Sequence, residues 1–208
     1  MSNKLHLISQ KALGLFLIVG LGIGLITPIA QAEAPTDTSY VAPVSTQIVD
    51  GLTAQQRADR IDAFYTQRDA QLAGYGRVMV DDADQYNIDW KIVAAIAYNE
   101  SSGGNHACVH KDGTPTYNAF GYNGCKSSFK NYDQAIDTVT QDLAGNIPTT
   151  SNYFKGKTIA EKINAYNPPS ANPDYLKNVK WTMNKIASID PATVFASANT
   201  DATQLAVK

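Results

Sequence analysis

Asp89-Trp90-Lys91-Ile92-Val93-Ala94-Ala95-Ile96-Ala97-Tyr98-Asn99-Glu100-Ser101-Ser102-Gly103-Gly104 is the stretch on which the fold turns. Trp90, Ile92, Val93, Ile96 and Ala97 recur at helical spacing, Asp89 is a capping residue type, and the Gly103-Gly104 pair ends the run. The segment predicts a compact helix, the most hydrophobic of the chain after its N-terminal run. Glu100 lies four and eight residues beyond Ile96 and Ile92, so it continues the buried stripe instead of the wet face. A carboxylate there loses solvation, which disfavours its charged form and prepares it to act as a general acid. The plainer alternative is a glutamate that fringes solvent at a helix end, the commoner fate of glutamates.

Outward toward the N-terminus, Thr53 and Gln56 predict a capping box. A first helix follows, with Ile61, Phe64, Tyr65, Leu72 and Tyr75 on its apolar face until Gly74 and Gly76 interrupt it, and helix resumes through Tyr86. Outward toward the C-terminus, residues 105–125 hold Gly, Asn, Thr, Pro and Tyr without helical period and predict a loop or small β-hairpin. Next come a helix on Tyr132, Ala135, Ile136, Val139 and Leu143, and another behind a second capping box, Thr158 with Glu161, that buries Ile159 and Ile163. The last helix takes Asn172 as cap and Pro173 as its first residue, with Leu176, Val179, Met183 and Ile186 inward. The fold class is mostly α, with one irregular, possibly β-hairpin, lobe.

The full chain of 208 residues is 44% hydrophobic and 17% charged with net charge −2, which excludes wholesale disorder and a large basic surface. Nucleic acid is therefore not an expected partner. Lys4 and Lys11, the apolar run from Ala12 to Ile26, Pro28 and then Ala30-Gln31-Ala32 make residues 1–32 a signal peptide cleaved before Glu33. An uncleaved anchor is the competing reading, weakened by Gly14, Gly20, Gly22, Gly24 and Pro28. With the signal removed, no stable membrane span is expected, and the protein is exported, to a periplasm or beyond the cell. Residues 33–52 read as a flexible linker, 53–187 as the folded domain and 188–208 as a flexible tail. The two cysteines, Cys108 and Cys125, fit an oxidising compartment. A bond between them would brace the lobe and contribute about 3 kcal/mol in the chain-entropy model; a free pair is the alternative.

Four segments carry a family resemblance. Ala94 to Gly104 resembles the catalytic-helix segment of the lysozyme-like superfamily, especially lytic transglycosylases, in which an apolar helix delivers Glu followed by Ser. Asn118-Ala119-Phe120-Gly121-Tyr122 is similar to the Asn-Leu-Phe-Gly element of bacterial glucosaminidases. Ala165-Tyr166-Asn167 is similar to a late Ala-Tyr-Asn element of transglycosylases, and Asn172 to Val179 to the closing helix of both. The resemblance spans residues 54–187. It departs in two places: no Gly-Leu-Met-Gln stretch follows the first helix, and Pro168-Pro169 stands where Gly often follows Tyr-Asn.

The resemblance implies a lysozyme-like catalytic domain acting on peptidoglycan glycan strands at the bond between N-acetylmuramic acid and N-acetylglucosamine, without a cofactor. Glu100 would serve as general acid and then base, and Ser101 as a hydroxyl supporting it or the substrate. Tyr166 would sit beside the reacting sugar, and Asn118, Phe120 and Tyr122 would line the groove. The plainer roles are a helix C-cap hydroxyl, a core tyrosine anchored by its OH, and lobe packing. A hydrolytic endo-β-N-acetylglucosaminidase and a non-catalytic wall-binding module are the rival functions. Hydrolysis ordinarily needs a second carboxylate, and Asp112 and Asp133 are the candidates, though a turn or a helix cap is the commoner use of each. His106-x-Cys108-x-His110 with Asp112 has the atoms of a metal site, but the spacing matches no standard one and a disulfide would remove the thiolate. No metal is expected.

Overall fold

A computed structural model describes residues 45–205, with side chains through residue 198; the signal 1–32 and most of the linker 33–52 lie outside them. Among the described residues are eight α-helices and one two-stranded sheet, so the chain is mostly α with a β-hairpin lobe. No described helix is long and apolar enough to cross a membrane.

The expected capping box starts helix α1 (Ala54–Thr66): Gln56 N–H donates to Thr53 Oγ1 and Thr53 N–H to Gln56 Oε1. The helix ends sooner than its apolar spacing predicts. Asp69 and Gly74 take left-handed backbone, so Leu72 and Tyr75 come off connecting turns, and Leu72 is buried from there. Asp62 Oδ1 accepts from the N–H of Gly74 and of Gly76 at 2.8 Å each, which tucks helix α2 (Gly76–Tyr86) against α1. A Cβ on Gly76 would lie 2.4 Å from the Ala58 carbonyl, so only glycine permits this approach.

Helix α3 (Ile92–Ser101) is the predicted hydrophobic helix, and Ile92 through Ala97 are all buried. Tyr65 OH donates to the Ala94 carbonyl at 2.8 Å, so α1 grips α3 by a buried hydrogen bond. Strands β1 (Cys108–Val109) and β2 (Pro115–Asn118) pair antiparallel across a bulge, and Cys108 is disulfide-bonded to Cys125 in a 3-10 turn, Tyr122–Cys125. The bond joins two parts of the lobe and leaves the helical core untouched.

Helix α4 (Tyr132–Ala144) is capped by Asn131 and buries Ala135, Ile136, Val139 and Leu143. A single-turn α5 (Ser151–Phe154), too short to leave a periodic signal, precedes α6 (Ile159–Tyr166) behind the expected Thr158–Glu161 box. The closing helix, α7 (Tyr175–Ser188), begins two residues after the predicted Pro173, because Asn172 Oδ1 takes the Asp174 N–H in a turn ahead of it. Tyr175, Val179, Thr182, Met183 and Ile186 form its buried face, while Leu176 is only half-buried. α7 packs on α3 and α6.

Both flanks differ from their compositional reading. The end of the linker is pinned: Ser45 N–H donates to Asp81, and the fully buried Arg57 binds Asp84 at 2.6 and 2.7 Å while donating to the Gln47 carbonyl at 3.0 Å. The tail forms α8 (Pro191–Leu205), which starts on a proline, packs against α1 and buries Val194. Alanine favours helix even where no amphipathic period announces it.

Between α2 and α4, Asp82 is buried with neither carboxylate oxygen hydrogen-bonded. Burial, reinforced by Asp137, Asp81 and Asp133, pushes its pKa up to about 7.

Candidate active site

The last turn of α3 carries Glu100 out of the core at half burial. Tyr175 OH, from the first turn of α7, donates to Glu100 Oε1 at 2.6 Å, and the Asn167 side chain at the end of α6 makes a second hydrogen bond to the carboxylate. Gly121 of the lobe closes in on the other oxygen: a Cβ there would lie 2.7 Å from Glu100 Oε2. Gly121 also adopts φ 59°, so both space and backbone demand glycine. Burial raises the Glu100 pKa above the ordinary carboxylate value and outweighs the two hydrogen bonds that favour the charged form. The acid is thereby gripped in one orientation and biased toward holding its proton.

Tyr166 donates its hydroxyl to the Phe120 carbonyl at 2.7 Å. Burial and the nearby Glu100 charge hold the hydroxyls of both Tyr166 and Tyr175 far above their ordinary pKa, so both remain donors. Tyr166 also lines a cleft of about 540 Å³, together with Gly121, Tyr122, Asp142, Thr150 and Tyr153. Gly121 is where cleft and acid meet, since its backbone faces both.

Three of the other motif residues are buried. Ser101, expected to support the acid or substrate, is buried; it donates to the Ala119 carbonyl at 2.6 Å and accepts the Gly104 N–H at 2.9 Å. It stitches the last helical residue of α3 to the lobe, while the C-cap itself is Ser102. Asn118, expected in the groove, is fully buried and spends its amide on backbone, donating to the Tyr122 and Ser127 carbonyls and accepting from the Phe120 and Tyr122 N–H groups. Phe120 is likewise fully buried in the core, and its backbone is what the site uses: its N–H donates to Asn118 and its carbonyl accepts from Tyr166. Tyr122 alone among the lobe candidates faces the cleft, where burial and hydrogen bonding to Asp142 push its pKa up to about 12.

Asp112 is exposed in a turn, where Thr114 N–H and hydroxyl donate to it and lower its pKa. Asp133 is exposed in the first turn of α4. The carboxylate in the cleft wall is Asp142, which sequence reasoning missed although it sits three residues beyond Val139 on the buried stripe of α4. Tyr175 and Asn167 were missed too; both lie inside the quoted motifs. His106 and His110 are exposed, with His110 Nε2 3.4 Å from Ser128 Oγ, and among the described residues no three His, Cys, Asp or Glu side chains come together as a metal site.

The chain matches no family model and no curated protein.

Proposed function

We propose that the protein is an exported, lysozyme-like enzyme that cleaves peptidoglycan glycan strands as a lytic transglycosylase. The observation that carries the reading is Glu100, a half-buried carboxylate with a raised pKa, held by Tyr175 and Asn167 where Gly121 borders an aromatic-walled cleft. The N-terminal signal pattern and the Cys108–Cys125 disulfide support export.

In this reading the Glu100 carboxyl gives its proton to the glycosidic oxygen as the bond from the anomeric carbon to that oxygen breaks. A hydroxyl of the same muramic residue attacks the anomeric carbon and gives its proton to the Glu100 carboxylate, which restores the acid and leaves an anhydro ring. One carboxyl group suffices for both transfers. Tyr175 and Asn167 hold it through both, since each keeps a side-chain hydrogen bond to the group.

One observation favours the hydrolytic rival: Asp142 is a carboxylate in the cleft wall. Mass spectrometry of products from purified peptidoglycan separates the readings. Anhydro ends, lighter than hydrolysed ends by two hydrogens and one oxygen, are expected; reducing ends assign hydrolysis, and glycan binding without cleavage reduces the protein to a wall-binding module.

A further inference from the structure

Asp142 presents a chemical question that its position alone does not answer. A carboxylate that activates water must turn an oxygen toward that water. Asp142 turns both toward protein: Tyr122 OH donates to Oδ2 at 2.9 Å, Thr150 Oγ1 donates to Oδ1, and the residue is only 3% exposed. Its two partners come from opposite places in the chain. Tyr122 belongs to the lobe, and Thr150 to the connection between α4 and α5.

The segment that Asp142 reaches is the one that covers the acid. Phe120, Gly121 and Tyr122 are held by three side chains from three elements: Asn118 of the lobe itself, Tyr166 of α6 and Asp142 of α4. Of these, Asp142 alone ties the Tyr122 ring, and with it the cleft-facing side of the segment. Gly121, next in the chain, has its backbone against Glu100 Oε2.

We propose that Asp142 is a positioning residue, a clasp that fastens the lobe through Tyr122 to the α4–α5 connection through Thr150 and so keeps Gly121 closed over Glu100 and the cleft at its working width. The clasp rests on the proposed function for its consequence in catalysis and on the geometry alone for its consequence at Glu100. Loosening it lets water reach Glu100 and widens the cleft, but takes no group out of the reaction.

Two readouts test this, and the first needs no activity. In Asp142→Asn an amide N–H₂ replaces one acceptor and the charge is lost, so the charge-assisted acceptance of both hydroxyls is gone and one hydroxyl must turn to accept instead of donate. The Glu100 titration, followed by carbon NMR of its carboxyl, is expected to move down by about half a pH unit as the acid is hydrated. On soluble glycan strands KM is expected to rise about tenfold while kcat stays within about threefold, with anhydro ends unchanged. Tyr122→Phe should reproduce both effects, and the double variant should be no worse than about twofold beyond either single one, because the two changes break the same bond. Thr150→Val releases the far anchor and should raise KM in the same direction, which keeps the test open if Asp142→Asn does not fold.

Loss of kcat at unchanged KM in Asp142→Asn would make Asp142 a reacting base and overturn the clasp. An unmoved Glu100 titration in all three variants would overturn it as well. If the parent protein leaves glycan intact while the Glu100 titration still shifts in Asp142→Asn, the clasp stands and the enzymatic reading falls.

Discussion

Two carboxylates withdrawn from water, the half-buried Glu100 at the end of α3 and the buried Asp82 of α2, share the same physics and differ in what surrounds them. Burial is the largest cause of the raised pKa in both. Glu100 has two hydrogen-bonding side chains and a cleft at its edge, whereas Asp82 has no hydrogen-bond partner on either oxygen and is not part of that cleft's lining. A perturbed carboxyl is thus only half of a functional site; a grip that fixes its orientation and a path for substrate are the other half. Asp82 shares the raised pKa and is the poorer candidate by geometry.

The comparison breaks first at Glu100→Gln, which keeps the shape and one acceptor oxygen for Tyr175 but has no acidic proton. Wall-lytic activity is expected to fall by about 10² to 10⁴ with the fold intact by circular dichroism. Retention of more than about a tenth of the parent rate would remove Glu100 from the role.

Asp82→Asn should act on stability and leave activity alone. The Asp82 pKa is raised from 3.8 to about 7 on folding, so the folded state binds more protons across that interval. Its contribution to stability is therefore fully present below about pH 4 and is lost as pH rises through about 7. The asparagine variant is expected to flatten the fall in stability between those pH values and to gain about 2 kcal/mol at pH 8, read from urea unfolding. An unchanged pH profile would show that Asp82 finds a partner in solution.

Tyr175→Phe sharpens the comparison by making Glu100 more like Asp82. Removing a donor to the charged form raises the Glu100 pKa further, so the alkaline limb of the pH–activity profile should move up while kcat falls about tenfold from lost orientation. A limb that moves down would contradict the hydrogen-bonding account.

The smallest effects are expected at the carboxylates that sequence alone offered as partners. Asp112→Asn and Asp133→Asn should each keep most activity and the same products, because both side chains are exposed and serve a turn and a helix start. Complete loss at either, without unfolding, would return the reaction to a two-carboxylate scheme.

Much of the fold was legible because local signals and burial agreed. The α3 stripe, both capping boxes and the α4 face all use side chains whose local preference and tertiary role point the same way. The length of α1 misled because Leu72 and Tyr75 fall in helical register with Ile61 and Phe64 by coincidence; the left-handed turn at Asp69 that separates them leaves no periodic trace. α8 was invisible because its composition carries helix propensity without amphipathic contrast. In the site, Glu100 was legible as a charge on an apolar stripe, and Asp142 was open to the same inference. Tyr175 was hidden because an aromatic on a buried helix face reads as core, and its hydroxyl is what matters. Ser101, Asn118 and Phe120 belong to the motifs yet serve the backbone, since the precise path of the lobe has to be built before Gly121 can meet the acid.

Glu100 and the tyrosine that holds it are separated by 75 positions, with Asn167 only shortly before that tyrosine. The order of synthesis therefore matters. A chain that has emerged only through α3 carries the acid without either of its holders, and one cut before α6 never acquires them. Because a domain generally folds as a unit, completion of the last helices is the step that sets Glu100 in its grip. Under the proposed function, no unfinished copy would carry an acid held ready to react.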